Sequence, residues 1–383
     1  MKILWVNSSF LDYRIPVYKR LNELSGDNFY IVYAHSMVPA RIPPKIEAAI
    51  GNHAIGIEDN QSCIGKTDTL ANKSLRIPHP KGLGKVIRDV NPDILIGEGF
   101  FQWTPYALWY SFVHRKKILI DYERTKWTER DCPWWRLLYR KIVDRFTDGY
   151  LCNGKLVKEY LESIGVKATK LFQGGMSADG ESLSEKISAM SQQEKDLMRR
   201  SLRIKDDGLV YVYVGGLIPR KGVDLLLNAW VEHSVKYPND SIILVGSGEM
   251  EADLKKKYGE MESVLFVGGI DYDNIYKYYA ISDVFVIATI EDNWSLVVPE
   301  AMACGLPIAC SIYNGCYPEL CQENRNGVLF DPFQQDSIIK ALEKFHNVDM
   351  DSYGKQSIEI EKGFTHHVVA QNIFAACQII CNK

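Results

Sequence analysis

The stretch LVYVYVGGLIPRKGVDLLLNAW (209–230) predicts a strand, a tight turn and a helix in immediate succession. Its β-branched and aromatic run predicts a buried strand that ends at Val214, and its helical pattern begins near Val223. The glycine pair between them lets the backbone turn sharply. Such a unit is typical of α/β domains, in which helices cover both faces of a parallel sheet. The stretch therefore predicts an α/β fold.

The same alternation of short apolar runs and amphipathic stretches extends along the whole chain in two series. The predicted strands are 2–6, 29–34, 93–97, 117–121 and 149–153 in the first series, and 209–215, 241–246, 264–268, 284–289 and 307–311 in the second. Two doubly wound, Rossmann-like domains with parallel sheets are therefore expected. We expect them to face each other across a cleft, with ligands at the carboxyl ends of the strands.

The boundary between the two series is expected in residues 173–190, which are rich in Gly, Ser and acidic residues and carry no strand signal. Ser191 followed by Glu194 matches a capping box and predicts a helix before the first strand of the second series. We therefore place an N-terminal domain at 1–172, a C-terminal domain at 173–363 and a terminal helix at 364–383.

Composition excludes several functional classes. The chain has 45 basic and 48 acidic side chains and a net charge of −3, which does not favour nucleic-acid binding. Its apolar runs are far shorter than the ~20 residues of a spanning helix. The amino end MKILWVNSS has too short an apolar core for a signal peptide, and nine cysteines without a C-x-x-C motif suit reduced thiols. We expect a cytoplasmic protein with no metal site and no nucleic-acid partner.

The turn within 214–230 carries two cations. Arg220 and Lys221 lie just before the helix that begins near Val223. Free N–H groups and the helix dipole favour an anion at this position, and the two side chains would neutralise it. The arrangement suits a phosphate or diphosphate, whereas a surface turn with solvated charges is the alternative for this segment alone.

A second segment, IEDNWSLVVPEAMACGLPIACS (290–311), carries acids after a predicted strand. Glu291, Asp292 and Asn293 form the loop, and Ser295 is expected to cap a short helix that ends before Gly305.

Within that helix, Glu300 lies eight residues after Asp292, so both carboxylates can face the cleft. The backbone N–H groups of Leu296 and Val297 are expected to be available to a phosphate oxygen. The alternative is that Glu300 and Glu291 are first-turn acids favoured by the helix dipole, with no ligand.

Asp292 and Glu300, with AMACG at 301–305, match an E-x7-E arrangement followed by an A-M-A-x-G helix end, and Gly215 and Lys221 match a strand–G–R–(x)–KG pattern. Together these segments resemble the retaining GT-B glycosyltransferases of group 1, also called family 4. The resemblance covers the whole chain. It implies transfer of a sugar from a nucleoside diphosphate sugar to a glycan or lipid-linked glycan, with retention at the anomeric carbon and without a metal or other cofactor.

The resemblance also implies roles for individual residues. Glu300 would hold the ribose of the donor, Asp292 or Glu291 the sugar hydroxyls, and Lys221 the diphosphate. The donor side would further include Gly215, Gly216, Arg220, Gly246, Asn293, Ser295, Leu296 and Val297. The acceptor side would include Ser9, Phe10, Arg14 and Glu98. The terminal helix would cross back onto the N-terminal domain.

The sequence departs from the family pattern at three positions. The first acid of the pair is Asp292 rather than Glu, which is one methylene shorter, although the neighbouring Glu291 could supply the reach. The arginine after the first glycine of the motif is Gly216 here, and Arg220 is the candidate replacement. Where many members have a histidine, this chain has Glu123, expected either to contact donor or acceptor as a catalytic residue or to pair with Arg124 or Lys126. These departures keep open a nucleotide-sugar-binding subunit without activity, and less readily a nucleotide-sugar epimerase.

Residues 114–145 concentrate basic side chains around Trp127, Trp134 and Trp135. Such a surface can lie on an anionic membrane, which would make the protein peripheral at the inner membrane face. A core helix whose tryptophans pack inward is the interpretation that composition favours.

Overall fold

The structure, a computed structural model, describes residues 1–60, 62–65 and 74–382. For residues 62–65 and 74–76 it describes the backbone alone. The chain divides into two compact units. Unit 1 comprises Met1–Ser177 and His366–Lys383, and unit 2 comprises Ala178–Thr365. The sequence placed the corresponding boundaries at 173 and 364.

Unit 1 contains a seven-stranded parallel sheet in the order β3-β2-β1-β6-β7-β8-β9 and a separate antiparallel hairpin, β4-β5. The strands are β1 (Ile3–Val6), β2 (Phe29–Ala34), β3 (Ala54–Ile57), β4 (Ser62–Gly65), β5 (Ser74–Ile77), β6 (Ile94–Glu98), β7 (Lys117–Tyr122), β8 (Gly149–Cys152) and β9 (Leu171–Gln173). The helices are α1 (Arg14–Leu24), α2 (Ile42–Ile50), α3 (Leu83–Val90), α4 (Thr104–His114), α5 (Trp134–Asp144), α6 (Lys155–Ser163) and, from the end of the chain, α16 (His366–Cys381).

Unit 2 contains a six-stranded parallel sheet in the order β12-β11-β10-β13-β14-β15. The strands are β10 (Val210–Val214), β11 (Ser241–Val245), β12 (Val264–Gly268), β13 (Val284–Ile287), β14 (Ile308–Ser311) and β15 (Gly327–Phe330). The helices are α7 (Gly180–Ala189), α8 (Gln192–Ser201), α9 (Val223–Lys236), α10 (Glu251–Tyr258), α11 (Tyr272–Ala280), α12 (Val297–Ala303), α13 (Tyr317–Leu320), α14 (Gln335–Lys344) and α15 (Met350–Glu361).

The strand order of each sheet reverses next to its first strand. In unit 1 this point lies between β1 and β6, and in unit 2 between β10 and β13. Loops that leave adjacent strands there diverge to opposite faces, which opens a crevice at the carboxyl ends of the strands. The two motif segments of unit 2 follow β10 and β13, so the topology brings them to this crevice.

All ten strands predicted from the sequence are confirmed, with bounds that differ by at most two residues. The predicted sheets lack β3, β9 and β15, each an edge strand of its sheet. An edge strand is less completely buried than a central strand, so its sequence need not form the continuous apolar run by which the central strands were predicted.

The predicted linker is partly wrong, because residues Gly180–Ala189 form α7, which packs against α11 and α12 of unit 2. The predicted capping box is confirmed. The Ser191 hydroxyl accepts from the backbone N–H of Glu194 at 3.3 Å, and the Glu194 carboxylate accepts from the Ser191 N–H at 2.8 Å. The terminal helix α16 packs on α1 in unit 1, with Val369, Ile373 and Ile380 buried.

The composition favoured a helix whose tryptophans pack in the core, and for helix α5 this interpretation is wrong. Trp134 is 75% exposed and Trp135 is 40% exposed, so neither packs in the core. The residues of α5 that are buried are Arg136, Arg140 and Val143. The helix therefore turns an arginine-bearing face inward and an apolar face outward.

Two glycines after β10 and β11 permit a close backbone contact in unit 2. Gly246 has a φ of +147°, and a Cβ atom there would lie 1.9 Å from the carbonyl oxygen of Gly215. Only a residue without a side chain allows this approach, which sets the loops after the two strands side by side.

We expect Gly246→Ala to lower the free energy of unfolding by roughly 3 kcal/mol, because the substitution combines backbone strain with a steric clash. Gly268→Ala is a matched comparison, since Gly268 has a φ of +76° but no atom within 4 Å of an added Cβ. It should cost only about 1 kcal/mol. Urea denaturation measures the free energy of unfolding of both variants. If both lose the same amount, the close contact with Gly215 does not contribute to the cost of Gly246→Ala.

Candidate functional site

The loops that follow β10 and β13 are joined by hydrogen bonds at the carboxyl end of the unit 2 sheet. The carbonyl oxygen of Arg220 accepts from the backbone N–H of Ile290 at 2.9 Å and from the Thr289 hydroxyl at 3.0 Å. Gly222 has a φ of +61°, and a Cβ atom at this position would lie 2.2 Å from the carbonyl oxygen of Ala288. The glycine thus lets the turn approach the loop after β13.

Two cations of the first motif meet an acid of the second. The Lys221 ammonium hydrogen-bonds to Oδ2 of Asp292, and Nη1 of Arg220 lies 3.7 Å from the same oxygen. Burial raises the pKa of Asp292, but Lys221, Ser295 and Arg220 outweigh it and hold the pKa below its ordinary value. The carboxylate is therefore ionised at neutral pH, and the three side chains together carry one net positive charge.

The Asp292 carboxylate is also fixed by its own loop. The Ser295 hydroxyl donates to Oδ2 at 2.7 Å, and the backbone N–H of Trp294 donates to Oδ1 at 3.2 Å.

The expected cap at Ser295 is wrong, because α12 begins at Val297 with Leu296 at its N-cap and no side-chain cap bond. The Ser295 hydroxyl instead donates to the ionised Asp292 carboxylate, and a hydrogen bond to a charged acceptor is stronger than one between neutral groups.

Glu300 lies in α12 in a different environment. Its carboxylate is buried, and the Tyr279 hydroxyl donates to Oε2 at 3.0 Å. Burial raises the pKa of Glu300 to about 7, although the hydrogen bonds from Tyr279 and Tyr272 lower it. The two acids of the predicted pair thus differ chemically, since Asp292 is paired with cations and Glu300 is close to half-protonated near neutrality.

The remaining donor-side residues from the sequence lie around these two acids. Gly215 and Gly246 form the close backbone contact, and the carbonyl oxygen of Gly216 accepts from the Tyr213 hydroxyl at 2.9 Å. The side chains of Glu291 and Asn293 are both buried in the loop after β13. The structure therefore places these residues, which the sequence analysis predicted to bind the donor, in the loops after β10, β11 and β13 of unit 2.

In unit 1, a second group of charged side chains lies at the carboxyl ends of the parallel strands. Nη2 of Arg14 lies 2.7 Å from Oδ2 of Asp121 and 3.9 Å from Oε1 of Glu98, and the Trp5 indole donates to Oε2 of Glu98 at 3.1 Å. Glu98 and Asp121 are paired in register on β6 and β7. Burial and the Asp121 charge raise the pKa of Glu98, although Arg14 opposes the shift.

Asp121 was not among the residues singled out from the sequence, although a signal for it existed. It is the last residue of the predicted strand 117–121, and Glu98 directly follows the predicted strand 93–97. Polar residues at the ends of neighbouring parallel strands meet at the same sheet edge. The sequence pattern did not show that these two strands are adjacent.

Three further residues from the sequence analysis have separate surroundings in unit 1. The Ser9 backbone N–H donates to Oδ1 of Asn7 at 3.1 Å. Phe10 is buried in the core, with its ring 5.2 Å from that of Tyr18, and this assigns it to packing. Glu123 is half-buried just after β7, and its charge helps to raise the pKa of Glu98.

Three residues of the types that bind metal ions, His233, Asp240 and His346, lie together near the amino ends of the unit 2 strands. Oδ2 of Asp240 is 2.8 Å from Nε2 of both His233 and His346, and the Leu209 N–H donates to Oδ1 at 2.8 Å. These distances are those of hydrogen bonds. Asp240 thus links α9 and the end of α14 to the start of β11, away from the two motif loops.

Comparison with known proteins gives similarity over part of the sequence and over the whole fold. Residues 194–357 match the family described as "Glycosyl transferases group 1". An uncharacterized glycosyltransferase of Methanocaldococcus jannaschii is 31% identical over 158 residues, 40% of each chain. Alpha-monoglucosyldiacylglycerol synthase of Acholeplasma laidlawii is 25% identical over 158 residues, which are 40% of this chain and 39% of the relative. These alignments span about two fifths of the curated relatives.

Among solved structures, Anabaena Alr3699/HepE in complex with UDP has a TM-score of 0.76 and 16% sequence identity, with 99% of this chain and 100% of that chain covered. At this identity the likeness concerns the fold. The two parallel sheets agree with the GT-B fold that the sequence predicted.

We expect Glu300→Gln to change the pH dependence of stability. Folding raises the pKa of Glu300 from 4.5 to about 7, so the folded protein holds this proton more tightly than the unfolded chain. The carboxyl group therefore costs stability progressively as the pH rises between these values. From pH 5 to pH 8 the variant should gain stability relative to wild type, by on the order of 2 kcal/mol in total. Urea denaturation at both pH values measures the change.

Glu251→Gln is the control, because Glu251 pairs with Lys255 at the surface of α10 at 2.7 Å. Its difference from wild type should change little between the two pH values. A Glu300→Gln difference that is the same at both would contradict the burial argument.

Proposed function

We propose that this chain, whose residues 194–357 match the group 1 glycosyl transferases, transfers a sugar from a nucleoside diphosphate sugar to a glycan or lipid-linked glycan. Transfer would retain the configuration at the anomeric carbon and need no metal. The observation that carries this proposal is the cluster of Lys221, Arg220 and Asp292 at the point where the strand order of unit 2 reverses.

The two cations suit a diphosphate leaving group. Breaking the bond between sugar and phosphate develops negative charge on the diphosphate, and preorganised cations stabilise this charge most in the transition state. The family has an arginine at the position of Gly216, and this side chain is missing here. We therefore assign the second cation to Arg220. In this proposal Lys221 and Arg220 both contact the diphosphate.

Asp292 is better suited to positioning than to binding the sugar. Its carboxylate already accepts from Lys221, from the Ser295 hydroxyl and from the Trp294 N–H. These contacts hold the Lys221 ammonium in one place. We assign Asp292 to orienting Lys221 and leave the sugar hydroxyls to Glu291.

Glu300 would accept the ribose hydroxyls of the donor, an arrangement that is stronger when the carboxylate is ionised. Because its pKa is raised to about 7, donor affinity would fall as the pH is lowered below neutrality. In unit 1, Glu98 and Glu123 are proposed to contact the acceptor, with Arg14 held by Asp121.

The comparisons support the class of donor and acceptor. One protein of the same fold is described in complex with UDP, and one relative is named for synthesis of a glucosyldiacylglycerol. A nucleoside diphosphate donor and an acceptor that carries a lipid are therefore the first choices for a screen.

A screen of UDP-, GDP- and ADP-sugars by thermal stabilisation tests donor binding, because a ligand bound only by the folded state raises stability. Release of nucleoside diphosphate from the stabilising donor is then measured with glycan and lipid-linked acceptors, in excess EDTA. We expect release that depends on acceptor and survives EDTA, and a product with the anomeric configuration of the donor.

Stabilisation without release across the acceptor panel would favour the inactive binding subunit, and conversion of the donor sugar without acceptor would favour the epimerase. Loss of activity in EDTA that Mg²⁺ or Mn²⁺ restores would overturn metal independence.

Lys221→Ala and Arg220→Ala should each lower turnover, by on the order of 10²-fold or more for Lys221, as for other groups that stabilise transition-state charge. Gly216→Arg combined with Arg220→Ala should recover part of the loss, because no atom lies closer than 3.8 Å to an added Cβ at Gly216. Steady-state kinetics with the matched donor measures these effects.

Lys255→Ala is the control for this series, since the Lys255 ammonium pairs with Glu251 on the surface. It should retain wild-type turnover. Wild-type rates from Arg220→Ala would show that Arg220 does not replace the missing arginine.

A further inference from the structure

Helix α5 has its apolar side toward solvent. Trp134, Leu138 and Ile142 repeat every four residues and are 75%, 52% and 46% exposed, whereas Arg136 and Arg140 are buried. A surface helix of a soluble domain normally shows the reverse arrangement, with its apolar stripe on the core. The outward face of α5 therefore has the composition of a surface that is covered by something apolar.

The inward arginines fix this orientation. Nη2 of Arg140 lies 2.8 Å from Oε2 of Glu129, whose side chain is fully buried, and its guanidinium lies 5.5 Å from the ring centre of Phe100. Arg136 lies over the ring of Phe101 at 5.2 Å. Turning the helix to bury its tryptophans would separate Arg140 from the buried Glu129 carboxylate and break this interior ion pair, which is strongly unfavourable.

Helix α4 continues the apolar surface. Trp109 is 69% exposed and Phe112 is 61% exposed. The ring of Phe112 lies 6.5 Å from that of Trp109 and 5.6 Å from that of Phe146, which follows α5. We call the exposed residues of the two helices the aromatic face, which consists of Trp109, Phe112, Trp134, Leu138, Ile142 and Phe146.

A groove extends the aromatic face toward α3. It has a volume of about 440 Å³, and its walls include Ile87, Tyr106, Trp109 and Val113, with Arg88 at its edge. Trp109 belongs to both the groove and the aromatic face. The apolar surface is thus larger than the scattered apolar side chains of an ordinary soluble surface.

The charges around the aromatic face are mostly basic. Helix α4 contains no acidic residue, and Asp144 is the one acidic residue of α5. The Asp144 carboxylate accepts from Lys170 at 3.0 Å. Arg115, Lys141 and Arg145, which are close in sequence to residues of the aromatic face, have exposed side chains, so these positions place positive charge at its rim.

We propose that the aromatic face binds the surface of an anionic lipid bilayer. Tryptophan and phenylalanine side chains insert between lipid headgroups, and basic residues at the edge are attracted to anionic lipids. In the part of the chain that the structure describes, no helix is both long and apolar enough to cross a bilayer. The proposal does not rest on the proposed transfer activity, because lipid binding is measured without substrates.

The surface differs from the one that composition indicated. The sequence placed a membrane contact in 114–145, which includes α5 but not Trp109 and Phe112 of α4 or Phe146. The structure adds these three residues, because they are exposed and the ring of Phe112 contacts that of Phe146.

Vesicle sedimentation of the full chain tests the proposal, with phosphatidylcholine vesicles that either contain or lack phosphatidylglycerol. We expect binding to the anionic vesicles at low salt and weaker binding at high salt or without phosphatidylglycerol. The double variant Trp134→Ser with Leu138→Ser should bind the anionic vesicles on the order of tenfold more weakly, because it loses apolar area that would leave water. Lys141→Glu with Arg145→Glu should lose the preference for anionic lipid.

The control is the double variant Leu197→Ser with Val235→Ser, which removes two exposed apolar side chains from unit 2, where they are 55% and 81% exposed. It should bind vesicles as wild type does. Circular dichroism and urea denaturation of each variant separate a loss of binding from a loss of folding.

Three outcomes would overturn the proposal. The first is the absence of binding to anionic vesicles at low salt. The second is an equal loss of binding in the control variant. The third is a dimer, measured by sedimentation velocity, that Trp134→Ser with Leu138→Ser abolishes, because the aromatic face would then be covered by a second copy of the chain.

Discussion

The ion pair between Lys221 and Asp292 is the contact around which the candidate site of unit 2 is built. It joins the loop after β10 to the loop after β13, which are the two loops that diverge where the strand order reverses. The pair forms only because Gly222 lets the first loop approach the backbone at Ala288. A buried pair of this kind is favourable when further hydrogen bonds satisfy its members, and Ser295 and Trp294 supply them to Asp292.

Different local environments separate two acids that look equivalent in the sequence. Asp292 is surrounded by donors and cations, so its carboxylate is stabilised, whereas burial raises the pKa of Glu300 although the hydrogen bonds from Tyr279 and Tyr272 oppose the shift. Both are nearly inaccessible to water. Burial alone does not determine the charge of a carboxyl group, because the charged partners in contact with it decide the sign of the shift.

Unit 1 shows how a buried charge can determine a surface. Arg140 is held inside by Glu129, and this ion pair faces Trp134 and Leu138 of the same helix outward. The apolar face is therefore maintained by electrostatics in the interior. Arg14, Asp121 and Glu98 form a comparable buried group at the carboxyl ends of the strands, where the sheet brings two carboxylates into register.

The sequence by itself determined the central strands, the helix starts at Ser191 and Val223, and the motifs around Lys221, Asp292 and Glu300, because apolar periodicity and turn chemistry are local. The tertiary structure decided which residues meet. The hydroxyl of Ser295 binds Asp292 instead of capping α12, Asp121 joins Glu98, and the tryptophans of α5 face outward. Each of these contacts depends either on a residue that is distant in the chain or on competition between hydrogen-bond partners. The periodicity of the sequence predicts neither.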